Sequence, residues 1–348
     1  MGTEEKYMQR CIEIAKGGLW EAPPNPLVGA VIVADGRIIG EGYHVRHGEA
    51  HAEVNAINSV SMADRHLLKQ STIYVSLEPC AHYGKTPPCA DLIIREQIPR
   101  VVVGCRDSFA QVDGKGIQKL REAGCKVTVG ILEKECQRLN KKFFTVQEKH
   151  RPYVTLKWAQ SADGFIDRKR DSGNPVIFST PRTQMLTHKL RSEHAAIMVG
   201  KNTALLDNPS LNVRNWAGHS PVRVVLDRTA SLPPTLHLFD GSFKTLVFTE
   251  KAMTYKPQVE YIQTDFSRPV LPQVLDQLLR RNLQSLLVEG GSQLLQSFID
   301  ENLWDEIRVE HSPLVLQEGI PAPAVNLKKP YTEMVFDHRK YHIMYNFI

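Results

Sequence analysis

Residues 28–33 read Val-Gly-Ala-Val-Ile-Val, an apolar run that stops at Asp35-Gly36. An Asp-Gly pair after such a run is a hairpin signal, because both positions accept positive φ. A second strand is therefore predicted over 37–42. Upstream, Tyr7, Cys11, Ile14 and Ala15 recur at helical spacing, which predicts a helix over 4–18 that closes at Gly17-Gly18. The pattern then alternates. Helical stretches at 51–60, 89–97, 116–123 and 132–144 are interleaved with apolar strands at 73–76, 100–104 and 126–129. Such alternation predicts an α/β/α sandwich over residues 1–148.

A break follows at Arg151-Pro152, since proline forces its neighbour into extended backbone. A second α/β domain is predicted over 149–348. Its strands fall at 153–158, 196–199, 222–226, 245–248, 285–289, 306–311 and 340–346, and its helices at 179–193, 270–281 and 292–301. Ser179-Thr180-Pro181 carries start signals for the first of these helices.

Composition agrees with two packed cores: 348 residues, 42% hydrophobic. The net charge of +5 comes from scattered basic residues rather than a stripe. That speaks against nucleic acid and suits a small anionic substrate. Of six cysteines, four have no regular spacing, which predicts reduced, buried thiols and a cytoplasmic protein. Neither a signal peptide nor an apolar run long enough to span a membrane is expected.

The chemistry concentrates in two short segments, His51-Ala52-Glu53 and Glu78-Pro79-Cys80 with Cys89. One imidazole and two thiolates fill three of zinc's four tetrahedral positions and leave one for water. Glu53 is a carboxylate not needed as a ligand. The H-x-E and P-C…C pattern is that of zinc-dependent deaminases acting on nucleobases and related rings. A structural zinc, or two unrelated cysteines, is the alternative. Asn25 could read a pyrimidine edge, or serve only the turn between Pro24 and Pro26. His47 is read as a surface residue. In the second half, Glu289-Gly290-Gly291-Ser292 joins a strand to a helix. Paired glycines there let the backbone approach a phosphate, although this is not the spaced dinucleotide fingerprint.

The chain resembles the bifunctional riboflavin biosynthesis deaminase/reductase family along nearly its whole length. The matching segments are Asn25-Pro26-Leu27-Val28-Gly29, Gly42-Tyr43-His44, Gly48–Glu53 and the stretch from Glu78 to Cys89, with its long intercysteine loop. Further matches are Ser161-Ala162-Asp163-Gly164, Leu190-Arg191, the run from Thr203 to Pro209, and Val288–Ser292. The resemblance implies a cytidine-deaminase-like first domain with zinc. It also implies a dihydrofolate-reductase-like second domain with NADPH, both acting on a phosphoribosylaminopyrimidine. It implies Glu53 as acid–base, with Asn25, His44, His82, Lys85 and Thr86 on the deaminase substrate. Arg191, Leu211, Arg214 and Glu289 would line the reductase substrate. Ala159, Thr203, Asp207, Arg228, Gly291 and Ser292 would contact the cofactor. A homo-oligomer is expected. Three features depart from the family: Ser172-Gly173 leads to Asn174-Pro175-Val176-Ile177 without the usual Trp, Asp107-Ser108-Phe109-Ala110 lacks Pro-Asn-Pro, and Asn208 replaces a second Asp. A deaminase with a degenerate reductase, or a nucleic-acid base deaminase, are the competing readings.

Overall fold

A computed structural model describes residues 2–81, 83, 87–107, 114–254, 257–325 and 331–346. Its chain divides into two compact units, Met1–His150 and Arg151–Ile348.

In the first unit α1 (Thr3–Ala15) precedes the hairpin of β1 (Gly29–Ala34) and β2 (Arg37–Tyr43). The turn is the one expected: Asp35 and Gly36 have φ of 51° and 73°. Then follow α2 (Ala52–Asn58), β3 (Thr72–Leu77), α3 (Cys89–Arg95), β4 (Arg100–Cys105), α4 (Lys115–Glu122) and β5 (Lys126–Val129). Two helices finish the unit, α5 (Glu133–Leu139) and α6 (Lys141–Lys149). The sheet order is β2-β1-β3-β4-β5, antiparallel across the first three strands and parallel thereafter. Along β1, Ala30, Ile32 and Ala34 enter one core while Val31 and Val33 enter the other. Helices on both faces explain why this strand reads as a continuous apolar run. On β2, a Cβ at Gly40 or Gly42 would come within 2.5 or 2.4 Å of the Ala56 backbone. Glycine there lets α2 lie directly on the sheet.

The helix expected over 132–144 is two helices. The break is Asn140, at φ −106° and ψ 21°. Its Oδ1 accepts from the Leu27 N–H at 2.7 Å and its Nδ2 donates to the Leu27 carbonyl at 2.9 Å. Asparagine competes for backbone partners in this way and interrupts a helix when it succeeds.

The second unit has a nine-stranded sheet. In chain order its elements are β6 (Tyr153–Gln160), β7 (Phe165–Asp167), α7 (Pro181–Ser192), β8 (Ala196–Val199), α8 (Lys201–Asp207), β9 (Val222–Leu226), β10 (Thr245–Thr249), β11 (Val259–Gln263), α9 (Val270–Arg280), β12 (Ser285–Val288), α10 (Ser292–Asp300), β13 (Glu306–His311), β14 (Ile320–Pro321), β15 (Tyr331–Phe336) and β16 (Arg339–Tyr345). The sheet order is β11-β10-β9-β8-β12-β6-β13-β16-β15; only β16 and β15 run antiparallel to their neighbours. Strands β7 and β14 form a separate pair. The elements α8, β7, β11, β14 and β15 were not foreseen. Every residue of β15 is exposed, so no buried face marks it in the sequence. In β12, Leu286 and Val288 enter one core and Leu287 the other. The carboxyl ends of β8 and β12 lie side by side, and α8 and α10 begin there. In open α/β sheets that is where ligands bind.

Candidate active sites

The first site is assembled at the start of α2. His51 is the residue before the helix, at φ −72° and ψ 166°, and Glu53 is in the first turn. On a regular helix two residues spaced i, i+2 would diverge by about 200°. The extended backbone at His51 removes that conflict. Cys80 follows β3, and Cys89 opens α3. His51 Nδ1 lies 3.6 Å from Cys80 Sγ and 3.3 Å from Cys89 Sγ, and the three ligand atoms all fall within 4.8 Å of one another. The Cys89 N–H donates to Cys80 Sγ at 3.3 Å.

Hydrogen bonds from the Cys89 thiol and from His51 lower the pKa of Cys80, while the contact with Cys80 and burial push the Cys89 thiol up. Glu53 is buried, at 3% exposure. Burial, reinforced by the charge on Cys80, lifts its carboxyl to about 7. A group poised there can both take and return a proton near neutrality.

Beside the cluster, His44 packs edge-on to His51 with ring centroids 5.4 Å apart. His44 Nδ1 is 3.1 Å from the Ala50 carbonyl, so it carries the proton, and Nε2 accepts from Asn25 Nδ2 at 3.0 Å. Asn25 Oδ1 faces His47 Nδ1 at 3.2 Å. His47 is exposed, as expected, and is also a partner of Asn25. Each end of the Asn25 amide still has one hydrogen-bonding position left. His82, Lys85 and Thr86 lie outside the described residues.

Sequence reasoning assigned no role to Glu78. Its carboxylate is 4% exposed and accepts backbone N–H groups of Asp107, Gly114, Gly116 and Ile117, at 3.0–3.4 Å. Glu78 thereby seats the first turn of α4 against the strand end that carries Cys80. Its place inside the Glu-Pro-Cys motif was the available signal.

The second site lies at the strand ends of the other unit. Arg191, from α7, forms a bidentate pair with Glu289, just past β12, at 2.8 and 2.6 Å. It also donates to the Asn212 carbonyl at 3.1 Å. Burial pushes the Glu289 carboxyl up, but Arg191, with Lys157 and His188, holds it below its ordinary value. Arg214 donates to Asn212 Oδ1 at 2.9 Å, and Leu211 is buried in the adjoining core. These four residues therefore converge.

Among the proposed cofactor contacts, Thr203 and Gly291 are neighbours: a Cβ on Gly291 would sit 3.1 Å from Thr203 Oγ1. Gly290 has φ 140°, open only to glycine, and its carbonyl accepts from the Gly200 N–H at 2.8 Å. Bare backbone at the starts of α8 and α10 forms the kind of cradle a dinucleotide phosphate needs. Ser292 Oγ donates to the Pro321 carbonyl at 2.7 Å. Asp207 pairs with Arg170, which also binds Asp167 at 2.7 Å. Ala159 sits on β6 opposite Glu310 of β13. Arg228 is exposed and paired with Glu250 at 2.8 Å.

Residues 1–105 match the family described as cytidine and deoxycytidylate deaminase zinc-binding region, and residues 152–326 match the RibD C-terminal domain. Among curated proteins, the riboflavin biosynthesis protein RibD of Bacillus amyloliquefaciens is 38% identical over 331 residues, covering 92% of this chain and 87% of its own. The RibD of Aquifex aeolicus is also 38% identical, covering 91% and 89%. The chain belongs to the RibD family. Among solved structures, a diaminohydroxyphosphoribosylaminopyrimidine deaminase/5-amino-6-(5-phosphoribosylamino)uracil reductase from Thermotoga maritima superposes with TM-score 0.89 at 37% identity, covering 99% of this chain and 98% of its own. Acinetobacter baumannii RibD gives 0.85 at 32%, with the same coverage.

RibD membership makes this a bifunctional deaminase/reductase of riboflavin biosynthesis, with a zinc-binding deaminase domain and a reductase domain of the NADPH-dependent kind. The fold is accordingly cytidine-deaminase-like, then dihydrofolate-reductase-like. Asn208 sits at φ 38° after α8, a left-handed position that asparagine tolerates, and its Oδ1 accepts from the His237 N–H. Ile177, in the segment expected to depart from the family pattern, is 73% exposed. No described helix is long and apolar enough to cross a membrane.

Proposed function

We propose that the first unit hydrolyses the exocyclic amine of 2,5-diamino-6-ribosylamino-4(3H)-pyrimidinone 5′-phosphate. The second then reduces the ribosyl group to ribityl with NADPH, giving 5-amino-6-ribitylamino-uracil 5′-phosphate. One observation carries the deaminase half: His51, Cys80 and Cys89 converge with buried Glu53 beside them.

His51, Cys80 and Cys89 would hold zinc, which would supply Lewis acidity and lower the pKa of water to about 7. Glu53 would take one proton from the attacking water and pass it to the ring nitrogen, then take the proton of the new hydroxyl and pass it to the amine, which leaves as ammonia. Asn25, oriented by His44 and His47, reads the pyrimidine edge. His44, His82, Lys85 and Thr86 take the phosphoribosyl group, as the resemblance suggests.

In the second unit Arg191, Leu211, Arg214 and Glu289 line the substrate. Arg214 is the more exposed of the two arginines and is suited to phosphate. Ala159, Thr203, Asp207, Arg228, Gly291 and Ser292 would hold NADPH, which would supply the hydride, so no protein nucleophile is required. Six free cysteines fit a reducing cytoplasm. The exposed strand β15 offers an edge for homo-oligomer formation.

Incubation with the diaminopyrimidinone ribosyl phosphate, with and without NADPH, tests the reading by mass spectrometry. Without NADPH the expected product has lost ammonia and gained water, and with NADPH it gains two further hydrogens. Salt-dependent RNA binding with no turnover of the ribosyl phosphate would instead favour a nucleic-acid base deaminase.

A further inference from the structure

The loop that carries Asn25 has little regular structure of its own. Residues 26–28 belong to no helix or strand. Yet Leu27 is 9% exposed, so its peptide groups are out of reach of water. Buried backbone groups need partners. For Leu27 both come from one side chain far along the chain. Asn140 Oδ1 takes the N–H at 2.7 Å and Asn140 Nδ2 gives to the C=O at 2.9 Å, so the carboxamide occupies the place of a neighbouring strand. Asn140 is itself 3% exposed. Leu139, the residue before it, packs with Leu27, Ala15 and Ala22 in a small separate cluster. The junction between α5 and α6 thus grips Leu27 by its side chain through Leu139 and by its backbone through Asn140.

Two residues upstream of this grip, Asn25 bonds His44, and His44 bonds the Ala50 carbonyl next to His51. On the other side, Val28 accepts from the His44 N–H at 3.0 Å. Leu27 is therefore the fixed point from which Asn25 and His44 are both placed.

We propose that Asn140 is a positioning residue for deamination, which sets the Asn25 loop against the pyrimidine through the Leu27 backbone. The proposal rests on the reading of Asn25 as a substrate contact. Asn140 touches neither substrate nor metal ligands, so its loss should disturb ring recognition and leave the metal in place.

The test is steady-state kinetics of both half-reactions, with zinc content and melting temperature, for Asn140→Ala, Asn140→Asp, Leu139→Ala and Asn25→Ala in the full chain. Truncating one member of a buried hydrogen-bonded set should raise the deaminase KM about tenfold in Asn140→Ala. Zinc should stay at one per chain, and reductase kinetics on the deaminated substrate should be unchanged. Asn140→Asp, which keeps the acceptor for the Leu27 N–H but sets an oxygen against its carbonyl, should show the same KM defect if Asn140→Ala does not fold. Leu139→Ala, which removes the side-chain half of the grip and keeps both Asn140 bonds, should lower the melting temperature with a smaller rise in KM than Asn140→Ala, separating backbone placement from general stability. An unchanged KM in both Asn140 variants, alongside a raised KM in Asn25→Ala, overturns the positioning role. An unchanged KM in Asn25→Ala removes the substrate reading on which it stands.

Discussion

Arg191 and Glu289 form a two-pronged ion pair at 2.8 and 2.6 Å, with side chains 13% and 10% exposed. Removing one member of such a pair strands the other in low dielectric, a loss of about 3–5 kcal/mol. Arg191→Ala should lower the melting temperature of the second unit and abolish reduction. Ammonia release should continue, with accumulation of the deaminated ribosyl product. Loss of deamination in a folded Arg191→Ala protein would refute two independent sites.

The same pair predicts a pH dependence. In the folded protein the Glu289 carboxyl is held below its ordinary value. Its contribution is therefore complete above the unfolded carboxylate pKa of about 4 and is lost as pH falls through the folded value. Without Arg191, burial alone would raise that carboxyl, and the unpaired charge would destabilise the fold at neutral pH. The gap in melting temperature between wild type and Arg191→Ala should be widest near pH 7, narrow as pH falls through the raised carboxyl of the variant, and narrow further below about 4 as the wild-type pair is lost. A gap independent of pH would show that Glu289 does not sense Arg191 as a charge.

Cys89→Ala removes a buried donor whose Sγ is 3.3 Å from His51 Nδ1. The two remaining ligands cannot hold zinc as three do. Metal analysis should show loss of zinc together with deamination, while NADPH-dependent reduction of the deaminated substrate persists. Full zinc occupancy in this variant would sink the ligand assignment.

Glu53→Gln separates the base from the ligands. The amide keeps the shape of the carboxyl but cannot carry the proton. Zinc should remain at one per chain while deamination falls by roughly 10² to 10⁴, the usual weight of a general acid–base group. Near-normal turnover would remove Glu53 from the chemistry.

Local signals made much of this architecture readable. Asp35-Gly36 announces its hairpin because two adjacent positive φ angles need those residues, and Pro181 marks the start of α7 because its ring suits a first helical turn. The zinc cluster was legible because its residue types have few other uses together. What stayed hidden was long-range. Asn140 meets Leu27 across 113 residues, so nothing near position 140 foretold that the helix would break. His47 looked idle because its partner Asn25 is brought close by the fold. His51 and Glu53 can share one pocket only at a helix N-terminus, and the fold places His51 as the residue before α2. Strand order is likewise a property of the assembled sheets, not of any single segment.

The proposed role of Arg228 in cofactor choice places the 2′-phosphate at the end of β9, at Asp227-Arg228. In dinucleotide sites of another fold, a free acid there accepts from the ribose hydroxyl of NADH, whereas a nearby arginine accommodates the extra phosphate of NADPH. Asp227 is not free. It is 1% exposed, its Oδ2 accepts from the Leu232 N–H at 2.7 Å, and Lys201 Nζ lies 2.9 Å from its Oδ1. Lys201 also donates to Ser231 Oγ at 2.6 Å, and Arg228 lies over the Phe266 ring at 5.8 Å. Among the described residues, the strand end thus presents two cations with hydroxyls, and the carboxylates beside them are engaged, Asp227 by Leu232 and Lys201 and Glu250 by Arg228. Arg228→Ala should weaken NADPH by roughly tenfold, the loss of one charge-assisted contact, and leave NADH nearly unchanged. Glu250→Gln should act in the opposite sense, releasing Arg228 to the phosphate and tightening NADPH alone. Equal losses for both cofactors, or none for either, would reject a 2′-phosphate role for Arg228 and leave the reductase itself untouched.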